Sequence, residues 1–214
     1  MSLVQKSILV IACIVFVRCQ ASTNKASSSV KNITSSDSSK NYGDLLEKLE
    51  QQSANINHDS LGEIISRISY SIKTNDLANF EEGKIPWIRI DSPQTEIQNL
   101  IGKDEIVINE SKVTIIVDYP LTNTYIFELT SLSGFTRTQL IYEISKQYYQ
   151  LYDEEERTAK IKTLPLEQRT IYNRNRTDGK YGIWGHDIGD LVLNEIIVHK
   201  TSNGMIFLTL EIES

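Results

Sequence analysis

Beyond Ala21 the chain contains no cysteine; its only two, Cys13 and Cys19, fall within the first 21 residues. That excludes disulfide staples, a Cys nucleophile and a thiolate metal site from everything downstream, so apolar burial must hold the fold alone. Histidine is scarce as well, with His58, His186 and His199 making up the whole supply. None of the three sits in a metal-ligand spacing, and no metal or other cofactor is implied. No G-x-S-x-G occurs, which removes the nucleophile elbow of serine hydrolases. Gly182, Gly185 and Gly189 lead into a strand pattern rather than a helix, so they do not make a phosphate-cradling loop. Long hydrophobic runs are missing too. Ile8 to Val17 gives ten apolar residues, against about 20 needed to cross a bilayer.

What is present at the start is a leader. Lys6 supplies a positive end, the ten apolar residues follow, and Cys19-Gln20-Ala21 offers small residues where a signal peptidase reads. Residues 1–21 are therefore expected to be a cleaved signal peptide, placing the mature chain in the secretory lumen or outside the cell with no integral span. Arg18 directly before Cys19 argues against lipoprotein processing. Three N-x-[ST] sequons, at Asn32, Asn109 and Asn175, fit that destination as glycosylation acceptors. Cleavage takes Lys6 and Arg18 from the 22 basic side chains and none of the 28 acids, leaving a net charge of −8. A surface of that sign excludes a general nucleic-acid or anionic-membrane binder.

Residues 22–41, rich in Ser, Lys and Asn, read as a disordered spacer. Residues 42–78 read as a helical hairpin or arm. Its first helix begins near Asp44 with Leu45, Leu46 and Leu49 on one side. Its second is signalled by the capping box Ser60-Leu61-Gly62-Glu63 and by Leu61, Ile64, Ile65, Ile68 and Ile72 at helical spacing.

Residues 79–214 read as one α+β domain. "KIPWIRI" (84–90) reads as a short strand, and Ser92-Pro93 opens a short helix that buries Ile97, Leu100 and Ile101 and ends at Gly102. "EIVI", "VTIIVDY" and "TYIFELTS" follow with short connections, which predicts an antiparallel meander. Thr136 and Gln139 then form a second capping box, flanked by Phe135 and Leu140. Leu140, Ile141, Ile144, Tyr148, Leu151 and Tyr152 fall within ~120° of helical arc, which predicts a long amphipathic helix over about 136–157, laid across a sheet. Asn203-Gly204 predicts a C-terminal hairpin, with Ile206, Leu208, Leu210 and Ile212 on one face. The expected sheet is antiparallel throughout. The hairpin–helix–hairpin order resembles the β-grasp arrangement.

The densest chemistry lies in "YGIWGHDIGDLVL" (181–193). One reading makes His186, Asp187 and Asp190 the centre of a metal-dependent or acid–base hydrolase. The other has Trp184 plugging the core while His186 and the acids bond turn amides. "YDEEER" (152–157) puts acids at a helix C-terminus, where the dipole disfavours them, and the connection 157–180 carries seven basic against two acidic residues that can lie against them. Trp184, Arg174 and Arg176 are the candidate contacts for a protein or glycan partner. With no complete catalytic constellation, the sequence favours a secreted or lumenal non-catalytic binding module, with the hydrolase as alternative.

Overall fold

A computed structural model describes residues 35–214; the leader, both cysteines and the sequon at Asn32 lie outside the described residues. Among the described residues the structure is mixed α and β, with two α-helices and a multi-stranded, unclosed sheet.

Helix α1 spans Ser35–Ala54, so it starts well before Asp44 and takes in residues 35–41 of the expected spacer. Serine and asparagine do not favour helix; Tyr42 supplies a tertiary anchor instead. It packs on a cluster formed by Leu46, Leu49 and Trp184, and its hydroxyl donates to the Arg174 carbonyl.

The second helix of the expected hairpin is absent. Asp59–Leu61 make one 3-10 turn, and Glu63–Ser69 form strand β1. Gly62, at φ 102°, stops the turn and lies so close to the next strand layer that a Cβ would meet the Lys200 carbonyl oxygen at 2.3 Å. No side chain fits there, so the turn cannot continue as helix. The β-branched Ile64, Ile65 and Ile68 then suit the strand that follows.

Two short strands, β2 (Ile72–Lys73) and β3 (Lys84–Ile85), pair with each other, and β4 (Ile88–Arg89) follows. The expected single strand at 84–90 is thus split at Pro86-Trp87, where proline lacks the ladder donor. The short helix at Ser92-Pro93 is two 3-10 turns, Pro93–Thr95 and Ile97–Asn99. Next come β5 (Ile106–Ile108), β6 (Lys112–Val117), β7 (Tyr125–Thr130) and β8 (Phe135–Thr136). The three-strand meander does not form. β6 and β7 pair antiparallel, but β5 leaves them to pair with β8.

Helix α2 spans Arg137–Thr158. The Thr136 hydroxyl accepts from the Gln139 amide at 3.2 Å, and the Gln139 side chain accepts from the Thr136 amide at 2.8 Å. Leu140, Ile141, Ile144, Tyr148 and Leu151 are buried in the same cluster as Ile115 and Leu208 of the sheet. Each such aliphatic side chain contributes about 1.5–3 kcal/mol of burial.

Strands β9 (Val192–Lys200) and β10 (Ile206–Glu213) pair antiparallel, and the main sheet runs β1-β9-β10-β6-β7, with β4 also on β9. The all-antiparallel expectation fails at the centre, where β10 lies parallel to β6. After α2 the chain enters the sheet on the side of β6 away from β7, where β10 runs parallel to β6.

Candidate functional site

One carboxylate fastens the first part of the loop, Thr177 to Gly182, and the Tyr152 hydroxyl holds its later part at the His186 carbonyl (3.0 Å). Glu155, fully buried near the end of α2, accepts from Thr177 Oγ1 (2.6 Å) and from the amides of Gly179 (2.8 Å), Tyr181 (2.8 Å) and Gly182 (3.1 Å). Burial raises its pKa, but the Thr177 hydroxyl and the three amides outweigh that and hold it below the usual carboxylate range. Its neighbours are also used. Glu154 takes Lys180 and the Tyr181 hydroxyl, and Glu156 takes Thr163. The acidic helix end is thus compensated by the connection behind it.

So held, the loop sends its side chains to different partners. Trp184 is buried under α1, edge-to-face with Tyr119 at 5.3 Å. Gly185, at φ 72°, lets the backbone pass beneath Leu46 of α1. His186 Nε2 lies 2.8 Å from Glu50 Oε1 of α1. Asp187 turns away and takes Arg169 in a two-point pair (2.6 and 3.1 Å), with Arg174 Nη1 at 3.6 Å. Asp190 accepts the Asp187 amide at 2.9 Å. No side chain of the three bonds to the side chain of another; Asp187 and Asp190 meet only as a reciprocal cap, side chain to backbone amide. Among the described residues no group of three or more His, Cys, Asp or Glu is arranged to hold a metal ion.

The other candidates differ in how far the fold uses them. Arg174 is buried with its guanidinium 5.1 Å from the Tyr152 ring centroid, and its Nε and Nη2 have no hydrogen-bond partner. Arg176 is exposed and donates to Thr122 Oγ1 at 3.2 Å. Asn109 stands exposed on the β5–β6 turn. Asn175 is half-buried; its Oδ1 accepts the Leu164 amide (2.7 Å) and its Nδ2 donates to the Lys162 carbonyl (3.1 Å).

What the structure does assemble is a cleft of about 700 Å³ beside His186. Its walls are Glu50, Ser53 and Ala54 of α1, Ile56 and His58 of the next connection, Asp118 and Tyr119 after β6, and Leu210 to Ser214 at the β10 end. Two His–carboxylate pairs face it: His186 with Glu50, and His58 Nε2 with Asp118 Oδ2 at 2.9 Å. The Tyr119 hydroxyl donates to Glu50 at 3.1 Å and lies 2.9 Å from Ser214 Oγ. Burial pushes that phenol well up; the Ser214 hydroxyl draws it back in part, and the Glu50 charge adds to the rise. Glu211 and Glu213 also line the cleft; among the described residues no Lys or Arg lines it. A second cleft of similar size, beside the β9–β10 turn, contains neither histidine nor an aromatic ring.

Of this cleft the sequence pointed only to His186. Glu50, His58, Asp118 and Tyr119 are separated from it by 60 residues or more of chain, and no local motif marks them. Comparison with protein-family models, curated proteins and solved structures finds no match. Among the described residues no helix is long and apolar enough to cross a membrane.

Proposed function

We propose that the chain is a non-catalytic binding module of the secretory lumen or extracellular space, and that its ligand is a basic segment of a protein partner held in the His–carboxylate cleft. The observation that carries this reading is the cleft's chemistry. Glu211 and Glu213, together with the His-paired Glu50 and Asp118, meet aliphatic surface from Ala54, Ile56, Leu210 and Ile212, and among the described residues no Lys or Arg lines the cleft. A lysine side chain, an aliphatic stem with a charged tip, matches both. A sulfated glycan or nucleic acid would be repelled. The leader and the three sequons support the compartment. The scaffold is read as β-grasp-like, two hairpins with an amphipathic helix between them.

The test is fluorescence anisotropy with a labelled Lys-rich peptide and its Glu-rich counterpart. The expected result is binding of the first alone, weakened about tenfold in Glu211→Gln/Glu213→Gln and by raised salt. Equal binding of both peptides, or of neither, removes the reading.

One observation favours a second reading, an acid–base hydrolase centred on His186. Glu50 orients that ring in an open cleft, as a carboxylate orients a catalytic imidazole. Asp187 and Asp190 take no part in it.

A further inference from the structure

We infer that Arg174 is the receptor of a small-oxyanion site at the joint of α1, α2 and the 177–190 loop, taking a sulfate-, phosphate- or carboxylate-type group on the side edge of its guanidinium.

Four contacts fix Arg174 and leave that edge unspent. Its amide donates to the Gly185 carbonyl at 3.0 Å, and its own carbonyl accepts the Tyr42 hydroxyl. The guanidinium carbon stands 5.1 Å from the centre of the Tyr152 ring, whose hydroxyl is tied to the His186 carbonyl at 3.0 Å. Nη1 lies 3.6 Å from Asp187 Oδ1. Nε and Nη2 find no hydrogen-bond partner among the described residues. Those two atoms are neighbouring donors of one fork, the edge that meets two oxygens of a carboxylate, sulfate or phosphate in parallel.

An unspent fork is costly in this place. The Arg174 side chain is only 7% exposed and permanently charged, and buried donors are nearly always paired. An apolar side chain of similar length would fill the position without stranding a donor.

The charge balance points the same way. Arg169, equally buried, already takes both oxygens of Asp187, so one carboxylate serves two cations. Asp190 accepts the Asp187 amide and is ion-paired with neither arginine. At the α1 side, burial raises the Tyr42 phenol's pKa, while the nearby charges of Arg174 and Arg176 oppose the rise. An oxyanion supplies a second counter-charge and both acceptors at once. Because the fork is already locked in place, binding orders little that is not ordered beforehand.

This site is separate from the His–carboxylate cleft, whose walls include none of Arg174, Tyr152 and Asp187. The acidic cleft repels what Arg174 attracts. Solvent meets the group at Asp187, whose side chain is 41% exposed. The ligand is therefore a single small group, not a chain laid along a groove.

The test is thermal unfolding and isothermal titration calorimetry of the full chain with sodium sulfate, sodium phosphate and sodium acetate, ionic strength being held with sodium chloride. At least one anion is expected to raise Tm to a plateau, half-complete at about 1 mM or below. At a hundredfold excess over Kd the unfolding equilibrium shifts about a hundredfold. Exclusion of a kosmotropic salt from the surface instead grows with concentration and does not saturate. A response to sulfate or phosphate alone assigns a tetrahedral oxyanion, and a response to acetate assigns a carboxylate. Arg174→Lys keeps the charge without the fork and should weaken binding about tenfold or more. Arg157→Gln, an exposed cation of the same connection, should bind as the parent does. Asp187→Asn removes the competing carboxylate and should bind about tenfold tighter, a gain that damage to the fold does not produce. The proposal is overturned if no anion saturates, if folded Arg174→Lys binds like the parent, or if Asp187→Asn binds no tighter. Should Arg174→Lys fail to fold, the Asp187→Asn comparison decides.

Discussion

The Glu155 carboxylate accepts the backbone amide of Tyr181 at 2.8 Å, across 26 residues of chain. That bond, with its three companions, converts a polar connection into a fixed wall carrying Trp184 and His186. Glu155→Gln replaces an ionised acceptor of four donors by an amide that must turn its own N–H toward some of them. Hydrogen bonds to charged groups contribute about 1.5–3 kcal/mol each, and a buried mismatch adds to the loss. The expected destabilisation is about 3 kcal/mol, read by urea denaturation.

The same residue sets an acid limit. Its folded pKa is depressed, so its contribution is present above the unfolded value, near 4.3, and is lost as pH falls through the folded value. Stability of the parent chain should drop more steeply than that of Glu155→Gln as pH falls below about 4. Parallel curves would show that the four-donor geometry does not persist in solution.

Where local code decides, structure follows sequence closely. Thr136 and Gln139 make their reciprocal bonds, and Phe135 and Leu140 on either side of the cap are both buried. Thr136→Ala is therefore expected to cost about 1 kcal/mol, seen as a lowered Tm. Where distant pairing decides, local code misleads. Ile64, Ile65 and Ile68 satisfy helical spacing as well as a strand's composition. The choice falls to β9, more than 120 residues on, with Ile64 opposite His199 and Ile68 opposite Ile196. The parallel β6–β10 pair, Ile115 opposite Leu208, is hidden for the same reason. So is the cleft: Glu50 reads locally as one more solvated acid on α1, and becomes a His186 partner only once that helix docks.

The two described sequons should separate by experiment. Asn109 is free on its turn, whereas the Asn175 carboxamide brackets residues 162 and 164, and Thr177 of its sequon is buried against Glu155. Asn175→Ala is expected to lose about 1–2 kcal/mol and Asn109→Ala less than about 0.5 kcal/mol. In protein secreted from a glycosylating host, peptide mass spectrometry should find higher glycan occupancy at Asn109 than at Asn175.

Asp187 offers the sharpest division between structure and chemistry in the loop. It is the shared counter-charge of Arg169 and Arg174, whose side chains are each 7% exposed. Its hydrogen bond also holds the Arg169 guanidinium above the usual arginine value, ahead of the opposing effect of burial. Asp187→Ala leaves two buried cations facing each other without their common acceptor. Stranding buried charge costs about 3–5 kcal/mol; Asp187 is itself 41% exposed, so water repairs part of the damage and about 2 kcal/mol is expected. Asp190→Ala loses one acceptor of a backbone amide, about 1 kcal/mol. A hydrolase that used these two acids would show the opposite pattern, with activity lost and stability kept. Thermal unfolding of the two variants, ranked Asp187→Ala below Asp190→Ala below the parent, is the outcome that makes them scaffold.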